Sequence, residues 1–194
     1  QLQHLKVEGV DTSTVSRKTD IESGHAYVIT DESGENVVHT YFGANAMLTP
    51  EDISDKVTQE MIQSARIEAI TDPPEATAEA VTAMAHKAGR LIAWDPGIRA
   101  KAGMERLRSM LMRASYLLLN EAEVDYVTGV TESTEAAKRL SVVNPELKAI
   151  LKSGREGCTM FKGQATIRVP GIDLTKYGMR VVNTVGSGDA FLGA

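Results

Sequence analysis

Residues 183–194 read NTVGSGDAFLGA, and this stretch constrains the fold more tightly than any other part of the chain. The run VVNT is predicted to form a strand that ends in the small residues Gly186, Ser187 and Gly188, after which an apolar helix begins. Small residues let backbone N–H groups approach a ligand, and a helix start adds positive potential, so this geometry is typical of an anion site. Asp189 lies at the mouth of that site.

Asp189 is the acidic residue of this stretch, and its carboxylate would repel a phosphate group in the anion site. The conflict disappears if the carboxylate takes a proton from a hydroxyl that attacks the phosphate, which is the chemistry of phosphoryl transfer. The alternative is structural: Asp189 caps the helix and the glycines only shape a turn. On these residues alone, both interpretations stay open.

The rest of the chain alternates between short apolar runs and amphipathic segments. This alternation is typical of βαβ units, which build a parallel sheet with helices packed against it. The predicted fold class is therefore α/β, with a mainly parallel central sheet flanked by helices. The predicted strands are 66–71, 91–95 and 116–119, with further strands within 147–170, and the predicted helices are 50–65, 75–88, 100–114 and 132–140.

A separate β segment precedes this alternation. Residues 25–41, HAYVITDESGENVVHTY, contain two β-rich runs around a polar turn with Asp31, Ser33 and Gly34, a pattern that predicts a hairpin. One face of this hairpin, with apolar members such as Tyr27, has nothing in the central sheet to cover it. We therefore expect a small lid that closes over the substrate or pairs with a second subunit in a homodimer.

Composition and charge narrow the class of protein. The chain has 194 residues, 42% hydrophobic and 24% charged, which fits one globular domain. A net charge of −5 gives no field to attract nucleic acid, and no apolar run approaches the ~20 residues of a membrane span. The single cysteine, Cys158, favours a reducing cytoplasm. Both ends fall inside predicted helices, so we expect a domain over 1–194 that is incomplete at both ends.

Polar residues follow two of the predicted strands, at the edge where an open α/β sheet usually binds ligands. Asn120 and Glu123 follow the strand YLLL and could lie near a ligand, although Asn at a helix start with Glu three residues later also forms a capping box. In WDPGIR, Asp95 and Arg99 follow a strand. Arg99 either binds an anionic substrate group or phosphates, or forms a surface ion pair.

A third group of residues is the run KSGREG at 152–157, again at a strand end. Its two glycines would let the backbone come close to a nucleotide. Glycine in a hairpin turn is expected anyway, so the run is open to a purely structural explanation.

Taken in this order, these segments resemble the ribokinase-like (PfkB) carbohydrate kinase family. NTVGSGDAFLGA is similar to the family's C-terminal signature, in which a D-T-x-G-A-G-D core supplies an anion hole and the catalytic base. The resemblance implies that Gly186, Ser187 and Gly188 bind the migrating phosphoryl group through backbone amides. It also implies that Asp189 deprotonates the acceptor hydroxyl.

The same resemblance assigns the nucleotide site. NEAE is similar to the family's N-x-x-E motif, so Asn120 would lie near the ATP phosphates and Glu123 would organise Mg²⁺, largely through water. KSGREG is placed like the family's ATP-binding strand and turn. That placement implies a nucleotide contact for Lys152, Ser153, Gly154 and Gly157.

The substrate side is assigned in the same way. GAN, which ends at Asn45, and the hairpin before it are similar to the lid that covers sugar substrates, and Asp72 falls where ribokinases carry an acidic residue close to the sugar. The resemblance therefore implies an ATP-dependent phosphotransferase acting on a hydroxyl of a sugar or sugar-like molecule. A nucleoside or a 2-keto-3-deoxy sugar acid is the alternative acceptor. Arg99 would suit a carboxylate, whereas Asn45 and Asp72 favour a neutral sugar.

Three departures from the family pattern are visible. Asn183 and Val185 stand where many ribokinases have Asp and Thr, whose oxygens help bind a monovalent cation, so we expect weak dependence on K⁺. Ser187 replaces the common Ala, which should leave the backbone amides usable. The family's N-terminal sugar-binding strands and its C-terminal helices beside the adenine are not in this sequence.

Two other classes of protein compete with a kinase. A dinucleotide-binding oxidoreductase needs G-x-G-x-x-G early in a βαβ unit and an acidic residue ~20 positions later. In GSGDAFLG the third glycine is misplaced, and this sequence ends before such an acid could appear. A non-catalytic sugar or nucleotide sensor on the same fold is also consistent with the pattern, because a fold alone does not fix function. Retention of Asp189 and Glu123 argues against a sensor, which needs no base at an anion hole.

Overall fold

The architecture is a six-stranded sheet packed against helices, with a separate two-stranded hairpin. The computed structural model describes residues 2–30, 36–181 and 184–194. The strands are β1 His25–Thr30, β2 Asn36–Tyr41, β3 Ile67–Thr71, β4 Leu91–Asp95, β5 Tyr116–Asn120, β6 Lys148–Lys152, β7 Cys158–Lys162 and β8 Ala165–Val169. The α-helices are α1 Leu2–Val7, α2 Lys56–Ser64, α3 Glu75–Lys87, α4 Gly103–Arg106, α5 Arg108–Arg113, α6 Glu121–Thr128, α7 Ser133–Val143 and α8 Ser187–Gly193.

The main sheet has the strand order β3-β4-β5-β6-β7-β8. Strands β3 to β6 are parallel, and β7 and β8 add an antiparallel extension. Parallel neighbours need a crossover, and α3, the α4–α5 segment and the α6–α7 pair supply the three crossovers. The prediction of an α/β fold with a mainly parallel sheet is confirmed. Because consecutive strands are neighbours, the carboxyl ends of β3, β4, β5 and β6 lie side by side.

The core fills the space between one face of this sheet and the crossover helices. Trp94, Leu117, Leu119 and Leu151 lie in it together with Leu111 of α5. Strands buried by helices read as near-continuous apolar runs, as LIAW and YLLL do here. Side chains alternate between the faces of a strand, so the residues next to these core positions point to the opposite face.

The hairpin of β1 and β2 is a sheet of its own. The two strands are antiparallel, with Tyr27 opposite His39 and Ile29 opposite Val37. Tyr27 and Ile29 are 68% and 60% exposed. The hairpin is therefore separate from the central sheet, as predicted. The turn residues Asp31, Ser33 and Gly34 lie outside the described part of the chain.

Two predicted helices are wrong as single elements. The segment 50–65 divides into a 3-10 turn, Pro50–Ile53, and α2, because Asp55 caps a new helix by accepting the backbone N–H of Thr58 at 3.0 Å. The segment 100–114 is likewise interrupted. Gly103, at φ 77°, separates the 3-10 turn Gly97–Ala102 from the short helices α4 and α5.

The helices described here are too short or too polar to cross a membrane. The predicted strand VVNT includes residues 182 and 183, which lie outside the described residues, so the prediction for that strand and for Asn183 stays a prediction.

Candidate active site

Four chain segments that are distant in sequence meet at the carboxyl edge of the main sheet. Asp72 follows β3, Asp95 ends β4, Asn120 ends β5 and Lys152 ends β6. These strands are neighbours in that order, so the sheet topology places their terminal side chains in one row. The sequence predicted ligand contacts at each of these strand ends, with Arg99 rather than Asp95 at β4, and the structure brings the four ends together.

An ion pair crosses this edge. Nζ of Lys152 lies 2.6 Å from Oδ2 of Asp95, and the two side chains are 17% and 15% exposed. The other carboxylate oxygen of Asp95 accepts the backbone N–H of Gly97 at 3.2 Å. By strand alternation both residues lie on the sheet face opposite to Trp94 and Leu151 of the core. The pair is thus held outside the core, at the carboxyl edge of the sheet.

The pattern NEAE forms the capping box that the sequence allowed. Oδ1 of Asn120 accepts the backbone N–H of Glu123 at 2.9 Å, and Oε2 of Glu123 accepts the backbone N–H of Asn120 at 2.8 Å. Burial raises the pKa of Glu123, and the nearby carboxylates of Asp95 and Asp72 add to the increase, against the hydrogen bond from Asn120 and the charge of Lys152. The cap fixes Glu123 at the sheet edge, while its contact with Mg²⁺ stays a prediction.

Asp72 carries three signs of a functional position. Its φ is +40°, a left-handed conformation that costs a non-glycine residue about 1–2 kcal/mol. Its Oδ1 is buried without a hydrogen-bond partner among the described residues. Burial raises its pKa, against the opposing charge of Arg99. Backbone strain and unpaired polar atoms cluster at ligand sites, where the surrounding structure maintains them.

Gly97 and Arg99 pack against Asp72. A Cβ atom on Gly97, whose φ is +49°, would collide with the Asp72 carboxylate. Nη2 of Arg99 donates to the backbone carbonyl of Asp72 at 3.4 Å, and Nε of Arg99 is buried without a partner among the described residues. Arg99 is half-buried and forms no ion pair within the described chain, so the surface ion pair considered from the sequence is wrong.

A cleft of about 990 Å³ connects Asp72 to the base of the hairpin. Asn45 lines it, as do His25 and Ala26 of β1 and Tyr41 of β2. The structure therefore brings the sequence-predicted substrate residues Asn45 and Asp72 to one cavity, and it places the predicted lid at the same cavity.

The glycine turn lies beside the ion pair. Gly186 has φ +79° and precedes α8, whose first residues are Ser187 and Gly188. A Cβ atom built on Gly188 would lie 3.7 Å from Nζ of Lys152. Asp189 is exposed in the first turn of α8, and Gly186 occupies the N-cap position. Asp189 is therefore not the helix cap that the structural alternative required.

The turn after β6 has a partly structural explanation. The backbone N–H of Ser153 donates to the carbonyl of Gly157 at 2.9 Å, which closes the turn. A Cβ atom on Gly157 would collide with the backbone around Pro170. Gly157 is therefore close to another part of the protein backbone. Gly154 faces open space. Contact of Ser153, Gly154 and Gly157 with a nucleotide stays a prediction.

Sequence reasoning missed the functions of two residues. The sequence places Asp95 near Arg99 after β4 but indicates no partner for it. Its partner Lys152 is 57 positions away, and no sequence pattern connects the two residues. Gly97 received no role. A proline followed by glycine after a strand was the available signal, since such a pair marks a sharp turn at a strand end.

The edge also fits a hydrated divalent cation. Among the described residues no group of three or more His, Cys, Asp or Glu side chains could hold a metal ion. Mg²⁺ commonly keeps several waters and binds through one or two carboxylates together with substrate phosphates. Both oxygens of Asp95 have partners, Lys152 and the backbone N–H of Gly97, so Glu123 is the carboxylate at this edge that suits this mode of binding.

These features define a class: an α/β protein whose ligand site lies at the carboxyl edge of a parallel sheet. The model of the pfkB family of carbohydrate kinases matches residues 1–194. The chain belongs to this family. It is 28% identical to a probable fructokinase-5 of Arabidopsis thaliana, covering 98% of the chain and 60% of that protein. It is 25% identical to a ribokinase of Staphylococcus aureus, covering 100% of the chain and 62% of that protein.

The fold agrees with solved structures of the family. An Arabidopsis thaliana ribokinase, determined with ribose and ATP, superposes with a TM-score of 0.79 at 24% identity, over 96% of this chain and 59% of that one. The chain thus spans about three fifths of the length of the relatives it matches. At 24% identity this structural similarity shows the fold alone. The candidate site residues are inferred from the geometry of this chain.

Proposed function

We propose that the protein carrying this chain is an ATP-dependent phosphotransferase that phosphorylates a hydroxyl of a sugar or sugar-like molecule. The observation that carries the proposal is the row of Asp72, Asp95, Asn120 and Lys152 at one sheet edge, with the Gly188 turn beside Lys152. In this proposal, the Gly188 turn and Lys152 bind the phosphoryl group, and Asp72 binds the acceptor hydroxyl. Phosphoryl transfer needs both.

In the proposed reaction, Asp189 accepts the proton of the acceptor hydroxyl. The oxygen then forms a bond to the γ-phosphorus of ATP as the bond to ADP breaks. The backbone amides of Gly186 and Gly188 would stabilise the charge of the transferred group. The backbone N–H of Ser187, predicted from the sequence to share this role, instead donates to the carbonyl of Thr184 at 3.1 Å. Mg²⁺ would neutralise phosphate charge when bound, with Glu123 holding its water shell. Asn120 would lie near the ATP phosphates.

We propose that the acceptor is a neutral sugar. Asp72 and Asn45 line the cleft, and a carboxyl group and an amide are suited to hydrogen-bond hydroxyl groups. Arg99 lies against Asp72, and its charge opposes the pKa increase of that residue. Its charge is therefore partly used within the protein, which argues against a sugar acid. The names of the relatives, fructokinase and ribokinase, make fructose and ribose the first acceptors to test.

The hairpin of β1 and β2 is proposed as the lid over this acceptor. Its base lines the cleft, and its exposed apolar side chains, Tyr27, Ile29 and Val37 among them, would be covered by closure or by a second copy of the chain. A homodimer through the lid and a cytoplasmic location are part of the same proposal. Sedimentation of the protein with and without acceptor tests the dimer.

A coupled assay of ADP release, run with ATP and Mg²⁺ against a panel of neutral sugars, sugar acids and nucleosides, tests the function. We expect turnover with a neutral sugar, and product mass increased by one phosphate group. Turnover restricted to nucleosides or to sugar acids would replace the proposed acceptor. Binding of sugar without any ATP-dependent product would favour the sensor.

A further inference from the structure

We propose that Asp95 is a positioning residue, which holds the ammonium of Lys152 beside the Gly188 turn so that Lys152 binds the phosphoryl group in transfer. This inference rests on the proposed function and assigns a role to a residue that the family resemblance left unassigned. It also makes the contact of Lys152 more specific: the family resemblance implied a general nucleotide contact, and the inference assigns the phosphoryl group in transfer.

The geometry of Lys152 leaves donors available for a ligand. An ammonium group has three N–H donors, and in the described structure one is directed at Oδ2 of Asp95 at 2.6 Å. No other hydrogen bond from the Lys152 ammonium is present among the described residues. Nζ lies within van der Waals range of the position a Cβ atom on Gly188 would take. The remaining donors are therefore next to the turn that is proposed to hold the phosphoryl group.

Asp95 is fixed through both of its carboxylate oxygens. Oδ2 pairs with Lys152, and Oδ1 accepts the backbone N–H of Gly97. A carboxylate with two partners has little rotational freedom, so Asp95 sets the direction of the Lys152 side chain. The pair links strands β4 and β6 across β5. Without the Asp95 carboxylate, the flexible Lys152 side chain would not stay in this position.

Stability alone is a weak explanation for this pair. Replacing a buried ion pair by apolar residues is often neutral or stabilising, because desolvation offsets the attraction. The pair also lies outside the buried core cluster, which consists of apolar side chains. Lys148, on the same strand and the same face, shows the contrast, since its Nζ lies 3.0 Å from the hydroxyl of Tyr116 and has no acidic partner in the described structure. It serves as a matched control.

The test compares K152M, D95N, the double variant D95N/K152M and the control K148M in the protein that carries this chain. For each we would measure kcat, the KM values, the melting temperature, and the affinities for ATP and for adenosine by calorimetry. We expect K152M to lower kcat about 10²-fold and to weaken ATP binding about 10-fold, with adenosine affinity changed less than twofold. D95N should lower kcat about 10-fold, and K148M should change kcat less than twofold.

The double variant separates positioning from a structural role. If Asp95 acts through Lys152, the double variant should have the same kcat as K152M, because the second substitution removes nothing further. If the pair only stabilises the fold, removing both charges should restore the melting temperature and kcat together, and that result would overturn the inference. A K152M kcat within threefold of wild type would also overturn it.

Failure of the proposed function would look different. In that case the wild-type protein itself would form no phosphorylated product with any acceptor. The binding comparison would still decide the inference: a loss of affinity for ATP but not for adenosine in K152M would support it, and equal ATP affinity in K152M and wild type would overturn it.

Discussion

The main sheet and the hairpin contain strands of similar length and composition, yet their surroundings are opposite. In the main sheet, Leu117 and Leu119 are fully buried between strands and helices. In the hairpin, the equally apolar Ile29 is 60% exposed and Tyr27 is 68% exposed. Burial on the main sheet fixes strand register and rotamers, because one slipped residue would turn every core side chain outwards. The two hairpin strands contact each other, for example through the rings of His25 and Tyr41.

This difference fits the positions of the two proposed functions, catalysis and lid closure. Catalysis needs side chains held to about half an ångström, and the ends of buried strands provide that precision. A lid must move between open and closed positions, so it suits an element with little core behind it. The following substitutions test this division, starting with the largest expected effect.

Asp189→Asn should lower kcat by at least about 10²-fold, with little change in ATP affinity, because the amide cannot accept the hydroxyl proton. Steady-state kinetics with the best acceptor measure it. Asp125→Asn, an equally exposed change on α6, is the control and should leave turnover unchanged. Turnover near wild type in D189N would show that Asp189 is not the base. It would also remove the evidence for a catalytic site at the main sheet.

Leu119→Ala and Ile29→Ala remove the same kind of apolar side chain from the two regions. Leu119 is fully buried, so its loss should reduce the free energy of unfolding by about 3 kcal/mol. Ile29 is largely exposed, and its loss should cost less than about 0.5 kcal/mol. Urea unfolding measures both. A cost above about 1.5 kcal/mol for I29A would show that the hairpin is buried in solution, for example by a second subunit.

Gly97→Ala should raise the KM for the acceptor about 10-fold while leaving the KM for ATP within twofold, because the new Cβ displaces the Asp72 carboxylate. Gly89→Ala is the matched control, since Gly89 also has positive φ but faces open space. Both substitutions carry a strain cost of about 1 kcal/mol. Equal acceptor KM values in the two variants would show that Gly97 serves only the turn.

Glu68→Gln should stabilise the protein slightly. Burial raises the pKa of Glu68, and its Oε1 has no partner among the described residues. The folded state therefore binds the proton more tightly than the unfolded state, and wild-type stability falls as pH rises from the ordinary pKa of 4.5 through the raised value. Above this pH window, E68Q should be more stable than wild type by roughly 1 kcal/mol, which corresponds to a Tm about 2–4 °C higher.

The pH dependence provides the check. The Tm difference between E68Q and wild type should be full at pH 7.5 and should shrink as pH is lowered towards 4, where both forms are neutral at this position. Activity should be unchanged, because Glu68 lies in β3 before the strand end that carries Asp72. A Tm difference that is independent of pH would show that burial of the charge is not the cause.

The sequence alone determined the α/β class and much of the candidate site. Apolar runs of strand length between amphipathic helices indicated a parallel sheet, and in such a sheet the residues after each strand lie at one edge. That rule predicted Asn120, Glu123 and Lys152 at the ligand edge, whereas Asp72 was assigned to the site by the family resemblance alone. The capping box of Asn120 and Glu123 was equally accessible, because it depends on residues three positions apart.

Only the tertiary structure decided which of these residues touch. The pairing of Asp95 with Lys152 joins residues 57 positions apart, and it depends on strand order and on a side chain reaching across β5. The left-handed backbone of Asp72 and its contact with Gly97 likewise arise from packing between two strand ends. Sequence patterns encode local geometry and burial, whereas the direction of a long polar side chain depends on which charges lie nearby. Those neighbours exist only after the sheet has formed.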